Sequence, residues 1–245
     1  MKRSFFLLLL FALPLIHAQN VLIGTTIDNP PFNAMADTKD HFFGFDIDIM
    51  GEICRRSKLN CQFKPLTFND LFTTLKAGKI DFAIAGIIIT ANREHQFLFG
   101  LPYLNSTAQF MTLKNSRIKT PKDIIRKRVG VRLGTPFKTL ASGLYKDQIT
   151  IVEYPKVSDL LEGLSNGAVD VVLMDSLAAK NWLTNNSNLY NLVGSQLPVG
   201  NGYAIMTTPD QARLIAQMNQ ELLSMEADGT YLTLYKRYFI NELNP

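Results

Sequence analysis

The sequence predicts an α/β protein made of two similar lobes, each with its own mostly parallel sheet, and three observations carry that prediction. The first is a repeated phrase: "FNDLFTTLKAGKIDFAIAG" (Phe68 to Gly86) and "VSDLLEGLSNGAVDVVLMD" (Val157 to Asp175) share Asp70/Asp159, Leu71/Leu160, Leu75/Leu164, Gly78/Gly167 and Asp81/Asp170 at one constant offset. The second is that "IDFAIAGIII" and "VDVVLMD" are unbroken apolar runs, the pattern of parallel strands covered on both faces. The third is size: once a leader is set aside, the chain suffices for one large domain or two smaller ones.

Taken in order, the chain opens "MKRSFFLLLLFALPLIHAQN". Lys2 and Arg3 form a cationic start, Phe5 to Ile16 is apolar, and Ala18 offers a small residue for cleavage, so residues 1–18 read as a secretory signal peptide. The apolar block falls short of the ~20 residues that span a bilayer, and charges interrupt every later apolar run. Removing residues 1–18 takes two cations and no acid, which lowers the formal charge from +4 to +2. A basic isoelectric point then gives no argument for nucleic acid. The protein is expected to be soluble and outside the cytoplasm.

"VLIGTTI" reads as the first strand of lobe one. "GFDIDIMGEICRRS" reads as a helix, with Ile47, Met50 and Cys54 at i, i+3 and i+7. The isolated pair Cys54 and Cys61 in "CRRSKLNC" is expected to form a structural disulfide in an exported chain rather than a metal or redox site. In each copy of the repeat a short polar residue (Asn69, Ser158) is expected to cap a helix. Leucines four apart line one face, and a glycine ends the helix before a strand. "RIKTPKDIIRKR" (Arg117 to Arg128) reads as a solvated helix, with Thr120 as cap, Pro121 in the first turn and Asp123 at the positive end. "RVGVRLGT" reads as the first strand of lobe two, and the tail "QARLIAQMNQELLSMEADGTYLTLYKRYF" as helix broken at Gly229.

In open α/β sheets, ligands bind beyond the carboxyl ends of the strands. Arg93, in "ITANREHQFLFGLPY", follows one such end, and Asp175 closes the other. A fixed cation on one lobe and a fixed anion on the other match the two charged groups of a free amino acid.

At these residues the chain resembles the bacterial extracellular solute-binding proteins of family 3, amino-acid receptors of ABC importers. "PPF", "GFDIDIMGEI", "TFNDLFTTLKAGKIDFAIAG" with "ITANR", "FGLPY", "VGVRLGT", "AVDVVLMD" and "DGTYLTLYKRYF" follow the family order over essentially the whole mature chain, nearest to receptors for arginine and for lysine, arginine, ornithine and histidine. The resemblance implies a periplasmic-binding-protein fold, each lobe an α/β sandwich joined by two hinge strands near "QFMTL" and "GYAIM". Lobe one would be 19–108 plus 204–245, and lobe two 109–203. It implies a monomeric periplasmic receptor that closes on a polar amino acid without a cofactor or metal and delivers it to a membrane permease.

By the same resemblance Arg93 binds the α-carboxylate, which suits a guanidinium fork. Asp175 holds the α-ammonium, and its local alternative is to cap the helix "SLAAKNWL". Phe68 lies against the ligand side chain, its alternative being plain core packing, and Gly86 sits where the backbone approaches the ligand. Thr90 would be a neighbour. Thr26 and Asn29 stand where receptors for cationic amino acids usually carry an acid and a tyrosine, with Asp28 as a candidate replacement. Ile88 stands where a hydroxyl or acid is common. Pro136 lacks the N–H found there, so Thr135 or Thr139 would compensate. Arg132 occupies the place of a lysine in glutamine receptors and would repel a guanidinium ligand. The likeness therefore favours arginine, while the pocket chemistry favours an uncharged or acidic side chain such as glutamine or glutamate. An enzyme on this scaffold, such as a cyclohexadienyl dehydratase, needs a placed acid or base. His41 and His95 are the only histidines after the leader, and no Ser/His/Asp or Cys/His cluster is visible. A sensory or adhesive domain is the third reading.

Overall fold

The computed structural model describes residues 19–36 and 41–240, so the expected signal peptide lies outside the described residues. Two five-stranded sheets organise it. The first runs, in spatial order, Asn60–Pro65, Asn20–Thr25, Phe82–Ala83, Met206–Thr207 and Leu98–Phe99. The second runs Thr150–Tyr154, Arg128–Arg132, Val171–Asp175, Thr107–Leu113 and Tyr190–Pro198. In each sheet the first three strands are parallel and the fourth is antiparallel to both neighbours, so four of five strands run one way. The reversed strand in each sheet is the one that has just arrived from the other lobe.

The chain passes between the sheets from Phe99 to Thr107 and returns from Pro198 to Met206. These two passages hold each other: the Tyr103 N–H donates to the Tyr203 carbonyl at 2.9 Å, and the Tyr203 N–H to the Leu104 carbonyl at 2.8 Å. "QFMTL" is itself inside the second sheet, so the first passage lies earlier than the sequence suggested.

Both copies of the repeat form helices, Phe68–Lys76 and Val157–Ser165, with Leu71, Leu75, Leu160 and Leu164 buried. Gly78 (φ 65°) and Gly167 (φ 76°) follow them in the left-handed conformation that ends a helix. The caps fall earlier than expected, at Thr67 and Lys156 rather than Asn69 and Ser158. Thr67 Oγ1 accepts the Asp70 N–H at 3.3 Å, whereas Ser158 turns its polar groups to Asp28.

Two elements are shorter than their sequences suggest. Of "IDFAIAGIII" only Phe82–Ala83 pairs as a strand, because Gly86 at φ 58° turns the chain out of the pleat while Ile84 to Ile89 stay buried. "RIKTPKDIIRKR" is one 3₁₀ turn, Pro121–Ile124, closed as expected by Asp123 accepting from the Thr120 N–H (2.8 Å) and O–H (3.0 Å). Ile125 is extended and Arg126 sits at φ 63°, and Arg128 already belongs to the next strand, so no helix can continue.

Cys54, near the end of helix Phe45–Arg56, is bridged to Cys61 with Cα atoms 6.2 Å apart. The bond ties that helix to the neighbouring edge strand. Cys54→Ser/Cys61→Ser is expected to lose about 2 kcal/mol, the loop-entropy value for so short a loop. At this chain length that lowers the melting temperature by about 5 °C. A calorimetric scan of the double variant against the oxidised protein checks this, and superimposable scans would refute it.

Candidate functional site

The site lies where the two lobes face each other. Arg93 is on the short helical turn Ala91–Glu94, directly after the buried run, and is 8% exposed. Its guanidinium donates to the Ile88 carbonyl on its own lobe and reaches across to the Gly134 carbonyl at 2.8 Å. It also lies 4.8 Å from the Phe72 ring centre and 5.6 Å from that of Phe68. Among the described residues no carboxylate lies within ion-pair distance of it. The surface salt bridge to Glu94 that an exposed arginine would favour is therefore not formed. Burial pushes its pKa down to about 10, the charge of Arg132 adds to the effect and Asp175 opposes it. The group remains cationic at neutral pH, and both of its charge-assisted bonds go to backbone oxygens.

Asp175 ends strand Val171–Asp175 and is 2% exposed. It stands at the N-cap of helix Ser176–Asn185, yet its side chain makes no capping bond. The carboxylate instead accepts the Tyr203 O–H at 2.7 Å and has Arg132 Nη2 at 3.9 Å. Burial raises its pKa, opposed first by Arg132 and then by Tyr203 and Asn29. Tyr203 is on the return passage, so this anion is fastened to the hinge.

Arg132 ends strand Arg128–Arg132 and is 3% exposed. Its guanidinium carbon lies 4.1 Å from the Phe68 ring centre. Phe68 thus carries a cation from each lobe against one ring, a cation–π arrangement worth most when desolvated. Burial pushes the Arg132 pKa down, with Asp175 opposing, and its Nη1 is buried without a hydrogen-bond partner. Thr135 does not face the cleft with its hydroxyl, which donates to the Arg132 carbonyl at 2.6 Å within the same turn.

Beneath these groups lies a second network in the first lobe. The Thr26 hydroxyl donates to Asn33 Oδ1, and the Asn33 amide donates to Asp46 at 3.3 Å. Asp46 also accepts the Gly86 N–H at 2.6 Å and the Tyr103 O–H at 2.9 Å. The Thr26 hydroxyl and the Gly86 N–H therefore both bond inside the lobe, and Thr26 also lines the cavity between the lobes. A Cβ on Gly86 would come no nearer than 3.7 Å to Phe32, so its positive φ, not close approach, demands glycine. Ile88 contributes its carbonyl to Arg93 and pairs with Tyr203. Asn29 is fully buried beside Asp175 and favours its anion, but neither of its polar atoms reaches hydrogen-bond geometry with a protein group. Asp28 accepts from the Ser158 N–H (3.2 Å) and O–H (3.3 Å) on the opposite lobe.

Asp28 with Ser158, Arg93 with Gly134, and Phe68 with Arg132 all bridge the lobes. Gly134, at φ 80°, brings its backbone against Asn69, 3.2 Å from where a Cβ would stand. A cavity of about 170 Å³ between the lobes is lined by Thr26, Asp28, Phe68, Arg132, Pro155 and Lys156, among others. A larger cavity of about 310 Å³ lies against Phe110, Ile125 and Leu144 on the flank of the second sheet, away from the paired charges. His41 and His95 are exposed, and among the described residues no group of three acids, histidines or cysteines could hold a metal.

Sequence reasoning missed Tyr203, Phe72 and Asp46 as parts of this site. Asp46 did leave a signal. It shares a helix face with Ile49, Met50 and Ile53, and an acid on an apolar face has to find buried donors.

The family described as bacterial extracellular solute-binding proteins, family 3, matches residues 21–241. A crystal structure of an arginine 3rd transport system periplasmic binding protein from Legionella pneumophila is similar at 42% identity and a TM-score of 0.87, covering 91% of this chain and 100% of that one. ABC transporter arginine-binding protein 1 of Escherichia coli is 29% identical over 91% of both chains. An ancestral arginine-binding protein bound to glutamine is 28% identical with a TM-score of 0.83, covering 91% and 99%.

Proposed function

The chain belongs to the bacterial extracellular solute-binding proteins, family 3, and on that premise we propose that it is a periplasmic receptor for a polar L-amino acid, which it carries to an ABC-type permease. The observation that carries this reading is the buried pair Arg93 and Asp175, set on opposite sides of a cleft, with no carboxylate in ion-pair distance of Arg93 among the described residues. Residues 19–108 with 204–245 act as one lobe and 109–203 as the other. As they part, the Arg93 guanidinium leaves the Gly134 carbonyl and presents its fork to the α-carboxylate. Asp175, held by Tyr203, takes the α-ammonium. Closure then excludes water and strengthens both interactions. Residues 1–18 direct export and are removed, the receptor acts as a monomer, and it does no catalysis. The names of the relatives make arginine the first ligand to test.

One experiment addresses the reading directly. Trp182 is the sole tryptophan and lines a cavity of about 330 Å³ together with Pro30, Pro31 and Phe43 from the other lobe. Its emission is expected to change saturably as a bound amino acid draws the lobes together. The same ligand at a hundredfold its dissociation constant adds about 2.7 kcal/mol of stability. That raises the melting temperature by about 5–10 °C. Silence in both measurements across the twenty amino acids and ornithine would refute the receptor.

A further inference from the structure

The basic stretch Arg117 to Arg128 has no part in the amino-acid site, and the fold sets it beside a different feature. Because it forms a single turn and not a helix, its cations are not spread around a solvated helical face. Lys122 lines the cavity of about 310 Å³ on the flank of the second sheet. The Arg126 N–H donates at 2.6 Å to the carbonyl of Gln148, another lining residue, and Lys146 follows the lining residue Tyr145. All three cations are exposed, and among the described residues none has a carboxylate within ion-pair distance. Of the two acids in these turns, Asp123 bends back to accept from Lys119 and Thr120, which leaves Asp147 alone against three positive charges. Arg126 (φ 63°) and Lys146 (φ 50°) hold left-handed backbone that glycine or asparagine adopts at less cost, so the turns themselves do not call for cations.

The cavity under this rim is apolar and already shaped. Phe110, Ile125, Leu144 and Leu197 contribute to its walls. Tyr145 fixes one side, donating its O–H to the Pro121 carbonyl at 2.9 Å and meeting the Phe110 ring edge-on at 5.9 Å. Ile125 and Leu144 are 40% and 49% exposed, so apolar surface stands open next to the charges. A bilayer takes up side chains that project, whereas this surface lines a recess. A second copy docked face to face would set the same three cations against each other.

We propose that this flank is a docking surface for an acidic segment of a partner protein, which seats a large apolar side chain in the cavity and sets carboxylates against Lys122, Arg126 and Lys146. The strand Arg128–Arg132 lies between this surface and the cleft, so partner and amino acid bind together.

The test is selection of displayed random twelve-residue peptides on the full mature chain, followed by fluorescence anisotropy of the enriched peptides. The selected sequences are expected to place aspartate or glutamate beside a large apolar residue. Their affinity is expected to fall tenfold or more in Lys122→Gln/Arg126→Asn/Lys146→Asn, whose asparagines suit the left-handed positions. Leu144→Ser is expected to weaken the same peptides at least threefold, and amino-acid binding stays unchanged in both variants. Should the triple variant fail to fold, raising the salt on the wild type screens the same charges and is expected to weaken the peptides at least threefold. Enriched peptides without acids, smaller effects, or no enrichment at all would overturn the proposal. So would sedimentation with phosphatidylglycerol vesicles in place of peptide binding, or self-association of the wild type that the triple variant loses.

Discussion

Arg93→Ala is expected to weaken amino-acid binding about a hundredfold, measured by calorimetry on protein shown to be folded by its melting transition. A hydrogen bond to a charged group contributes roughly 1.5–3 kcal/mol, and the guanidinium fork makes two to a carboxylate. Even the lower value doubled exceeds the ~2.8 kcal/mol that corresponds to a hundredfold change. With its pKa held at about 10, the group is charged across the neutral range, so the effect does not depend on pH near 7. The structure adds a stability cost that the sequence did not suggest. The side chain satisfies the Ile88 and Gly134 carbonyls and lies over Phe72, so its removal leaves two inward oxygens short. A loss of about 1–3 kcal/mol follows. Arg93→Lys separates the two effects, since it keeps the charge while losing the planar fork, and it should recover stability more than affinity. Unchanged affinity in Arg93→Ala would remove Arg93 from the site.

What the sequence showed of this molecule follows a physical division. The repeat was legible because its signals are local: leucines at helical spacing, a glycine at each left-handed exit, and apolar runs for strands buried on both faces. The two ends of those runs placed Arg93 and Asp175, and both are buried at the cleft. Failures came where tertiary context overrides local propensity. Thr120, Pro121 and Asp123 do start a turn, but Arg126 goes left-handed and Arg128 is captured by a sheet through Asp170, so no helix grows from a good cap. The bonds that tie Gly86 and Thr26 to the Asp46 network were illegible similarly, since the network's partners lie 40 and 57 residues along the chain. Tyr203 was illegible for the same reason. Nothing near it in sequence indicates that its hydroxyl will hold Asp175 from the hinge.

Asp46 is where that hidden network can be measured, and Asp46→Ala is expected to cost about 3–5 kcal/mol, because it strands the Gly86 N–H, the Tyr103 hydroxyl and the Asn33 amide together. Asp46→Asn is milder in size and sharper as a probe. Burial raises the Asp46 pKa to about 7, against the opposing effect of its three donors and with a small further push from Asp175. The folded carboxyl then keeps its proton between about pH 4 and 7, where the unfolded chain has released it. Stability from this group is complete below the lower value, falls through that window and is gone above the upper one. The carboxamide does not titrate. The stability of the wild type minus that of Asp46→Asn, from urea midpoints, should therefore decrease as pH rises from 4 to 7 and then level off. Asp175 and the exposed ion pairs are present in both proteins and cancel in the difference. A difference that stays flat from pH 4 to 8 would mean that the three donors outweigh burial and hold Asp46 as an anion throughout. In that case the first lobe would keep a permanent negative charge directly behind Gly86.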